Sequence, residues 1–386
     1  EAIREAGFDP DTSLDLSMFW QALATYRVRE GVTPEEDQEL HEALRKFGSA
    51  TGGEISVLQV GKLLRFLGFA LPLMEMQSFV ELVDVDCSGS LDLCELRKLL
   101  RMLREKDVEQ ARHAFDAQCN AQGVSRLSLP LVTQALARLG VNNSLVFITE
   151  RDLPRGTVDG SHRQEPNAPW EVDLQGFVRI CNRLQRKARM RNREQHGFTC
   201  KEVLELRSVF KQYDVGGSGD IKPREQIKFI EDHFPEMAHE KNLRPELLAV
   251  MDQVDSERNG RLTFEGFLVL AQRLSDMHDT WRLRKEQQII SSTAFSVQQL
   301  HGFRELFMAA DKGTGRLSLV DVRGMINNIT PIGAKYFGEL QAAFKQVAAQ
   351  RQDAGENHDH LDFPEFVLLM SRLVESNFAN ITAKTR

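Results

Sequence analysis

Cysteine is scarce in this chain, with 5 in 386 residues, at irregular spacings and with no C-x-x-C pair. That excludes a disulfide framework and predicts reduced thiols in a cytosol-like, cytoplasmic or cytoskeleton-associated setting. Long apolar runs are also missing. The longest nearly apolar stretch, 66–74, is broken by Gly68 and Pro72 and falls far short of the ~20 residues a membrane-spanning helix needs. There is no phosphate-binding glycine loop, nucleophile elbow, H-E-x-x-H or dinucleotide fingerprint, so the sequence predicts a binding protein and not an enzyme. Nor is there an excess of positive charge. With 49 Lys and Arg against 56 Asp and Glu the formal charge is -7, which argues against a nucleic-acid partner.

Apolar residues at 41% and charged residues at 27% are the balance of a chain able to bury a core. The charge is uneven. Residues 1–110 hold 21 acidic and 12 basic side chains, a net of -9, which leaves +2 for the rest. Tyrosine and tryptophan number 3 each against 23 phenylalanines, and the phenylalanines recur beside short interruptions rich in Gly and Asp, which prompts a search for repeats. One six-residue pattern returns as L-D-L-S-M-F (14–19), L-D-L-C-E-L (91–96), V-D-L-Q-G-F (172–177), L-T-F-E-G-F (262–267) and L-D-F-P-E-F (361–366). A second lies between them as I-S-V-L-Q-V (55–60), L-S-L-P-L-V (127–132), I-K-P-R-E-Q (221–226) and L-S-L-V-D-V (317–322). In most copies the leading aliphatic residue is followed by one suited to a helix N-terminus, then by apolar residues at helical spacing. Amphipathic helices are predicted ahead of most copies, at 35–47, 73–83, 108–115, 201–213 and 297–309.

This helix, loop, helix unit resembles the EF-hand superfamily, in which the loop wraps a calcium ion and neighbouring hands pair face to face. The resemblance implies an all-α fold of tandem EF-hand pairs, eight motifs in four pairs plus half of a ninth, with ladder contacts Ile55 to Leu91, Leu127 to Val172, Ile221 to Leu262 and Leu317 to Leu361. The implied divisions are 1–30, the trailing half of a hand whose leading partner is absent; 31–106, pair 1; 107–184, pair 2; 185–197, a basic linker helix; 198–274, pair 3; 275–295, a linker; and 296–386, pair 4. An irregular surface loop is expected at roughly 140–168.

Calcium takes six to eight oxygens, which the family's twelve-residue loop supplies from positions 1, 3, 5, 7, 9 and 12 around a glycine at 6. Only D-V-D-C-S-G-S-L-D-L-C-E (84–95) meets the whole pattern, offering Asp84, Asp86, Ser88, the carbonyl of Ser90, Asp92 and Glu95 around Gly89. Its four carboxylates repel one another unless a cation sits among them. The run 214–225 retains Asp214, Ser218, the carbonyl of Asp220 and Glu225 but has Gly216 at position 3 and Lys222 at position 9, so a weaker calcium site is expected. The loop 255–266 retains Asp255, Glu257 and Asn259 but places Gly266 where the bidentate Glu belongs. The other loops are expected to be structural. Ligand positions of 48–59 hold Gly48, Ala50, Gly52 and Gln59; the loop before Leu127 contains Asp116, Asn120 and Gln122 at the wrong spacing; that before Val172 is interrupted by proline; 311–321 is one residue short; and 354–365 retains only Asp362 and Glu365.

Residues 179–193 hold seven basic side chains and no acidic one, while Phe177, Ile180, Cys181, Leu184 and Ala188 trace an apolar face. Such a helix suits an EF-hand groove, an anionic surface or the acidic first third of its own chain, or serves as a solvated connector. A second basic cluster, 281–290, begins with Trp281, and His358 and His360 flank Asp359 without further metal ligands. The resulting expectation is a calcium-binding interaction or scaffold protein with one strong and one weaker site, whose partner is a protein, either an amphipathic helix or a larger assembly. Two alternatives stand beside it: the calcium-regulatory segment of a longer enzyme or channel, and a calcium-independent architectural component of the cytoskeleton or a cilium.

Overall fold

The computed structural model describes residues 3, 6–9, 13–49, 53–140, 171–255, 259–329, 333–349 and 359–378. The loop expected at roughly 140–168 lies almost entirely outside the described residues. The chain is predominantly helical, and the helices start where the repeated patterns place a capping residue. Asp15, Asp92, Asp173, Thr263 and Asp362 are the N-caps of α1 (Leu16–Arg29), α5 (Leu93–Gln122), α7 (Leu174–Glu194), α12 (Phe264–Ser291) and α16 (Phe363–Glu375). Each accepts a backbone N–H from the first turn, satisfying a donor that the helix itself leaves unpaired. At Asp92 and Asp362 the bond is reciprocal, because Glu95 and Glu365 reach back to the cap's own N–H. The same box opens α2 (Pro34–Phe47) with Thr33 and Glu36, and α13 (Val297–Ala310) with Ser296 and Gln299.

The second feature of the patterns, the leading aliphatic residue, builds short ladders. Each pairs two segments only: β1 (Glu54–Ser56) with β2 (Ser90–Asp92), β3 (Leu127–Ser128) with β4 (Glu171–Val172), β5 (Asp220–Ile221) with β6 (Leu262–Thr263), and β7 (Leu317–Ser318) with β8 (His360–Leu361). The last three are antiparallel, with Leu127 opposite Val172, Ile221 opposite Leu262 and Leu317 opposite Leu361. All eight ladder residues are buried, so a slip of one residue turns an aliphatic side chain out of the core and a polar one into it.

By contact the chain divides into two compact units. The first comprises Glu1–Ile55, Lys62–Ala70 and Leu91–Leu206. In it α5 packs against α6 (Leu129–Arg138), α7 and α2, and Phe115, Leu127, Val132, Leu136, Phe177 and Ile180 form a continuous core. The helix expected at 108–115 is not separate. Residues 93–122 form one 30-residue helix, so Asp116, Asn120 and Gln122, expected in a loop, stand on a helix that ends at Gly123. Ion pairs tie the acidic opening segment to this frame: Arg97 is bidentate to Asp37 at 2.8 and 3.0 Å, and Arg101 and Arg104 pair with Glu30 and Glu36. Basic helix α7 buries its apolar stripe, and its Arg193 takes both oxygens of Glu39 at 2.8 and 2.5 Å. Nearby, Asn192 donates to the carbonyl of Gly68 at 3.0 Å. Gly68 has φ +85°, and an added Cβ would meet the Arg189 carbonyl at 2.2 Å, so the approach requires glycine.

The second unit comprises Ser56–Gly61, Leu71–Ser90 and Arg207–Arg386. Its core gathers Phe307, Phe344, Phe363 and Phe366 around the β7 and β8 ladder. Within it α12 packs on α11 (Arg244–Val254) and α16, α15 (Ala334–Ala348) packs on α16, and α4 (Leu73–Val83) packs on α13. The linker expected at 275–295 is helical through Ser291 as part of α12. Among the described residues no helix is long and apolar enough to cross a membrane.

Candidate metal centre

Helix α4 ends at Val83, and the Asp84 N–H closes its last turn on the Val80 carbonyl at 2.9 Å. The chain then coils back on itself. Ser88 N–H donates to Asp84 Oδ1 and to Asp86 Oδ1, each at 3.0 Å, and Gly89 N–H donates to Asp84 Oδ2 at 3.1 Å. Positive φ values at Cys87 (55°) and Gly89 (72°) make the reversal; glycine adopts this conformation freely, whereas cysteine does so at a cost. The Ser88 hydroxyl donates to the Ser90 carbonyl at 2.9 Å. Asp92 and Glu95 then cap α5.

As a result, one oxygen each of Asp84, Asp86 and Glu95 lies within 4.8 Å of the others, with Asp86 exposed and its neighbours half-buried. Among the described residues this is the one group of three or more Asp, Glu, His or Cys side chains so gathered. The Ser88 backbone N–H, and then its hydroxyl, holds the Asp86 carboxyl below the usual carboxylate range. Among the described residues, no lysine or arginine pairs with Asp84, Asp86, Asp92 or Glu95. The donor set of carboxylates, hydroxyls and a carbonyl fits a hard divalent cation.

Loops 214–225, 255–266 and 311–321 reuse this turn, and in two of them a cation stands beside an acidic side chain. In 214–225, Asp214 accepts from Ser218 N–H at 2.9 Å and Gly219 N–H at 2.8 Å. Ser218 donates its hydroxyl to the Asp220 side chain at 2.7 Å, and Arg261 reaches the same carboxylate at 3.2 Å. Those two contacts, Ser218 first, lower the Asp220 carboxyl. Glu225 accepts the Lys222 N–H at 2.7 Å. In the next loop Asp255 accepts from Gly260 N–H at 2.6 Å and from Asn259 N–H at 3.3 Å, while Glu257 lies outside the described residues.

In the loop at 311–321, Asp311 holds Thr314 and Gly315 in the same manner, and the Lys312 ammonium sits 2.9 Å from Asp321. The Ser318 hydroxyl first, then Lys312, brings the Asp321 carboxyl down to about 2. In the last loop Lys285, from α12, lies 3.1 Å from Asp362 and 3.9 Å from Glu365. His358 lies outside the described residues, and His360 is on β8.

Lys312, Arg261 and Lys285 did not figure among the sequence-predicted site residues. Lys312 was visible as a cation beside the first aspartate of its loop. Lys285 is 77 residues from its partner, a distance at which no local pattern carries a signal.

No family model matches the chain. Over 90 residues, 23% of its length, the chain is 30% identical to polcalcin Cup a 4 of Hesperocyparis arizonica, covering 54% of that protein. Over 112 residues, 28% of its length, it is 29% identical to calcium-binding protein 5 of Bos taurus, covering 64% of that protein. The chain thus matches between half and two thirds of the length of these relatives, and less than a third of its own length is matched in either comparison.

Proposed function

We propose that the chain is a calcium-binding protein built from EF-hand-like pairs, in which loop 84–95 is the strong calcium site, loop 214–225 a weaker one, and the remaining hands are helical scaffold for a protein partner. The observation that carries the reading is the set of carboxylates at Asp84, Asp86 and Glu95, drawn within 4.8 Å of one another with no lysine or arginine among the described residues paired to them. Partial similarity to calcium-binding proteins supports it independently. Calcium bound there would supply the positive charge that four neighbouring acidic side chains lack.

The chain's own residues do the rest. Asp84 and Asp86 are oriented by the Ser88 and Gly89 N–H groups, so little side-chain freedom remains to be lost on binding. Glu95, at the third position of α5, ties ligand position 12 to a helix, so a cation that draws its carboxylate inward pulls on the α5 N-terminus. At 214–225 the ligand count is lower, and Arg261 adds a positive charge beside the loop, 3.2 Å from the Asp220 carboxylate.

An architectural role for pair 4 has its own support, since Lys312 and Lys285 already pair with a carboxylate in each of its loops. Calorimetric titration of calcium into the intact chain and into Glu95→Gln tests the assignment. One dominant site, a weaker second, and loss of the dominant one in the variant are expected. Four or more equivalent sites would overturn it.

A further inference from the structure

Arg304, on α13, is fully buried, at 0% exposure. Its guanidinium donates to Glu81 Oε1 from Nε at 3.0 Å and from one terminal nitrogen at 2.7 Å, and to Glu286 Oε1 of α12 at 2.5 Å. It also stacks 4.1 Å from the Phe363 ring centre on α16 and lies 3.5 Å from the Met74 sulfur. His301, one turn earlier on α13, approaches the other Glu81 oxygen at 3.3 Å and Glu305 at 3.5 Å.

Glu81 and Met74 both belong to α4, the helix that leads into loop 84–95, and Glu81 stands three residues before Asp84. Arg304 therefore meets α4 near both ends from α13, and is itself held by Glu286 of α12 and Phe363 of α16 in the same unit. A charge this deeply buried is held only where its partners are complete, and losing one partner of such a set is far costlier than losing an exposed pair.

We propose that the Arg304, Glu81 and Glu286 lock is the coupling device of the 84–95 site: it fixes the last turn of α4, preorganises Asp84 and Asp86, and links calcium occupancy of that loop to the packing of α13. The inference rests on the calcium reading above and adds to it the element that the site is anchored to. Coupling between two positions is reciprocal. If the lock favours the binding geometry, calcium in turn stabilises the lock, and α13 becomes more protected when calcium is bound.

Direct electrostatics and anchoring predict opposite signs for the decisive variant. Removing the Arg304 charge would, through the field alone, strengthen cation binding nearby. Loss of the anchor weakens it, because α4 must then be ordered at the moment of binding. Arg304→Lys keeps the charge and loses the two-pronged contact, and Arg304→Gln removes both.

Titration of calcium chloride into the full chain, monitored by calorimetry, with hydrogen exchange measured on the same samples, separates these cases. Wild type is expected to bind and to show calcium-dependent protection of 297–310 as well as of 73–83. Both variants are expected to bind about fivefold more weakly, at the lower end of ordinary coupling between sites, with protection of 297–310 no longer responding to calcium. Far-ultraviolet circular dichroism serves as the folding control, and if Arg304→Gln fails it, Arg304→Lys decides. Affinity within twofold of wild type in a folded variant, tighter binding in Arg304→Gln, or calcium-independent exchange across 297–310 in wild type would each overturn the coupling. Absence of calcium binding to loop 84–95 in wild type would instead overturn the reading on which it rests.

Discussion

Loops 84–95 and 311–321 are built on the same turn and differ in what faces their carboxylates. In both, the first aspartate collects backbone N–H groups from four and five residues, or three and four residues, further on. Both lead into a short ladder and then a helix. Yet Asp321 has an ammonium 2.9 Å away, supplied by Lys312 of its own loop, whereas Asp84, Asp86 and Glu95 have none among the described residues. Turn geometry is therefore set by backbone satisfaction and survives the loss of ligands. On the reading proposed above, the loops differ in the source of the positive charge. Lys312 places it beside Asp321, and Lys285 beside Asp362 and Glu365. At 84–95 calcium would bring it.

The comparison is broken most severely at Glu95. Glu95→Gln removes the anionic ligand at the last loop position and is expected to weaken the dominant site by roughly two orders of magnitude, read by calorimetry, since affinity in such loops follows ligand charge. The next largest effect is expected from removing Lys285, whose partners Asp362 and Glu365 are largely buried. Lys285→Gln should cost roughly 1 kcal/mol of stability, the upper end for a partly exposed pair, measured by denaturant midpoint, and Lys312→Gln, at an exposed side chain, should cost less.

A smaller change is expected from Arg261→Gln, which removes a positive charge beside the weaker site and should tighten it by about threefold, since partly exposed charges interact weakly; unchanged binding would assign the weakness to the missing ligand at Gly216 alone. The finest test is acid titration of Asp321. Its carboxyl lies at about 2 when folded, below the ordinary value, so the stability it contributes is present above the unfolded pKa and is lost as pH falls through about 2. Carbon-detected nuclear magnetic resonance should place its midpoint there, and Lys312→Gln should move it upward.

Much of this was legible in the sequence because it is local. The capping residues at Asp15, Asp92, Asp173, Thr263 and Asp362 and the ladder residues each announce themselves within six positions, and the structure puts Leu127 opposite Val172, Ile221 opposite Leu262 and Leu317 opposite Leu361. The gathering of Asp84, Asp86 and Glu95 follows from twelve consecutive residues. What escaped was long-range. Nothing near Arg304 indicates that its partners are 223 and 18 residues away, and nothing near Asp362 points to Lys285. The continuity of α5 across the expected boundary at 106/107 also escaped, although Arg104 to Asp107 contains no glycine or proline to end a helix.

That continuity has a mechanical consequence. Over 30 residues α5 is a rod of about 45 Å, beginning inside loop 84–95 and ending just before β3. With no hinge along its length, the two ends keep a fixed angular phase. Inserting a single residue near its middle would swing everything beyond by about 100° around the axis. The helix thus behaves as a drive shaft, and its residue count is as much a part of the architecture as any side chain it carries.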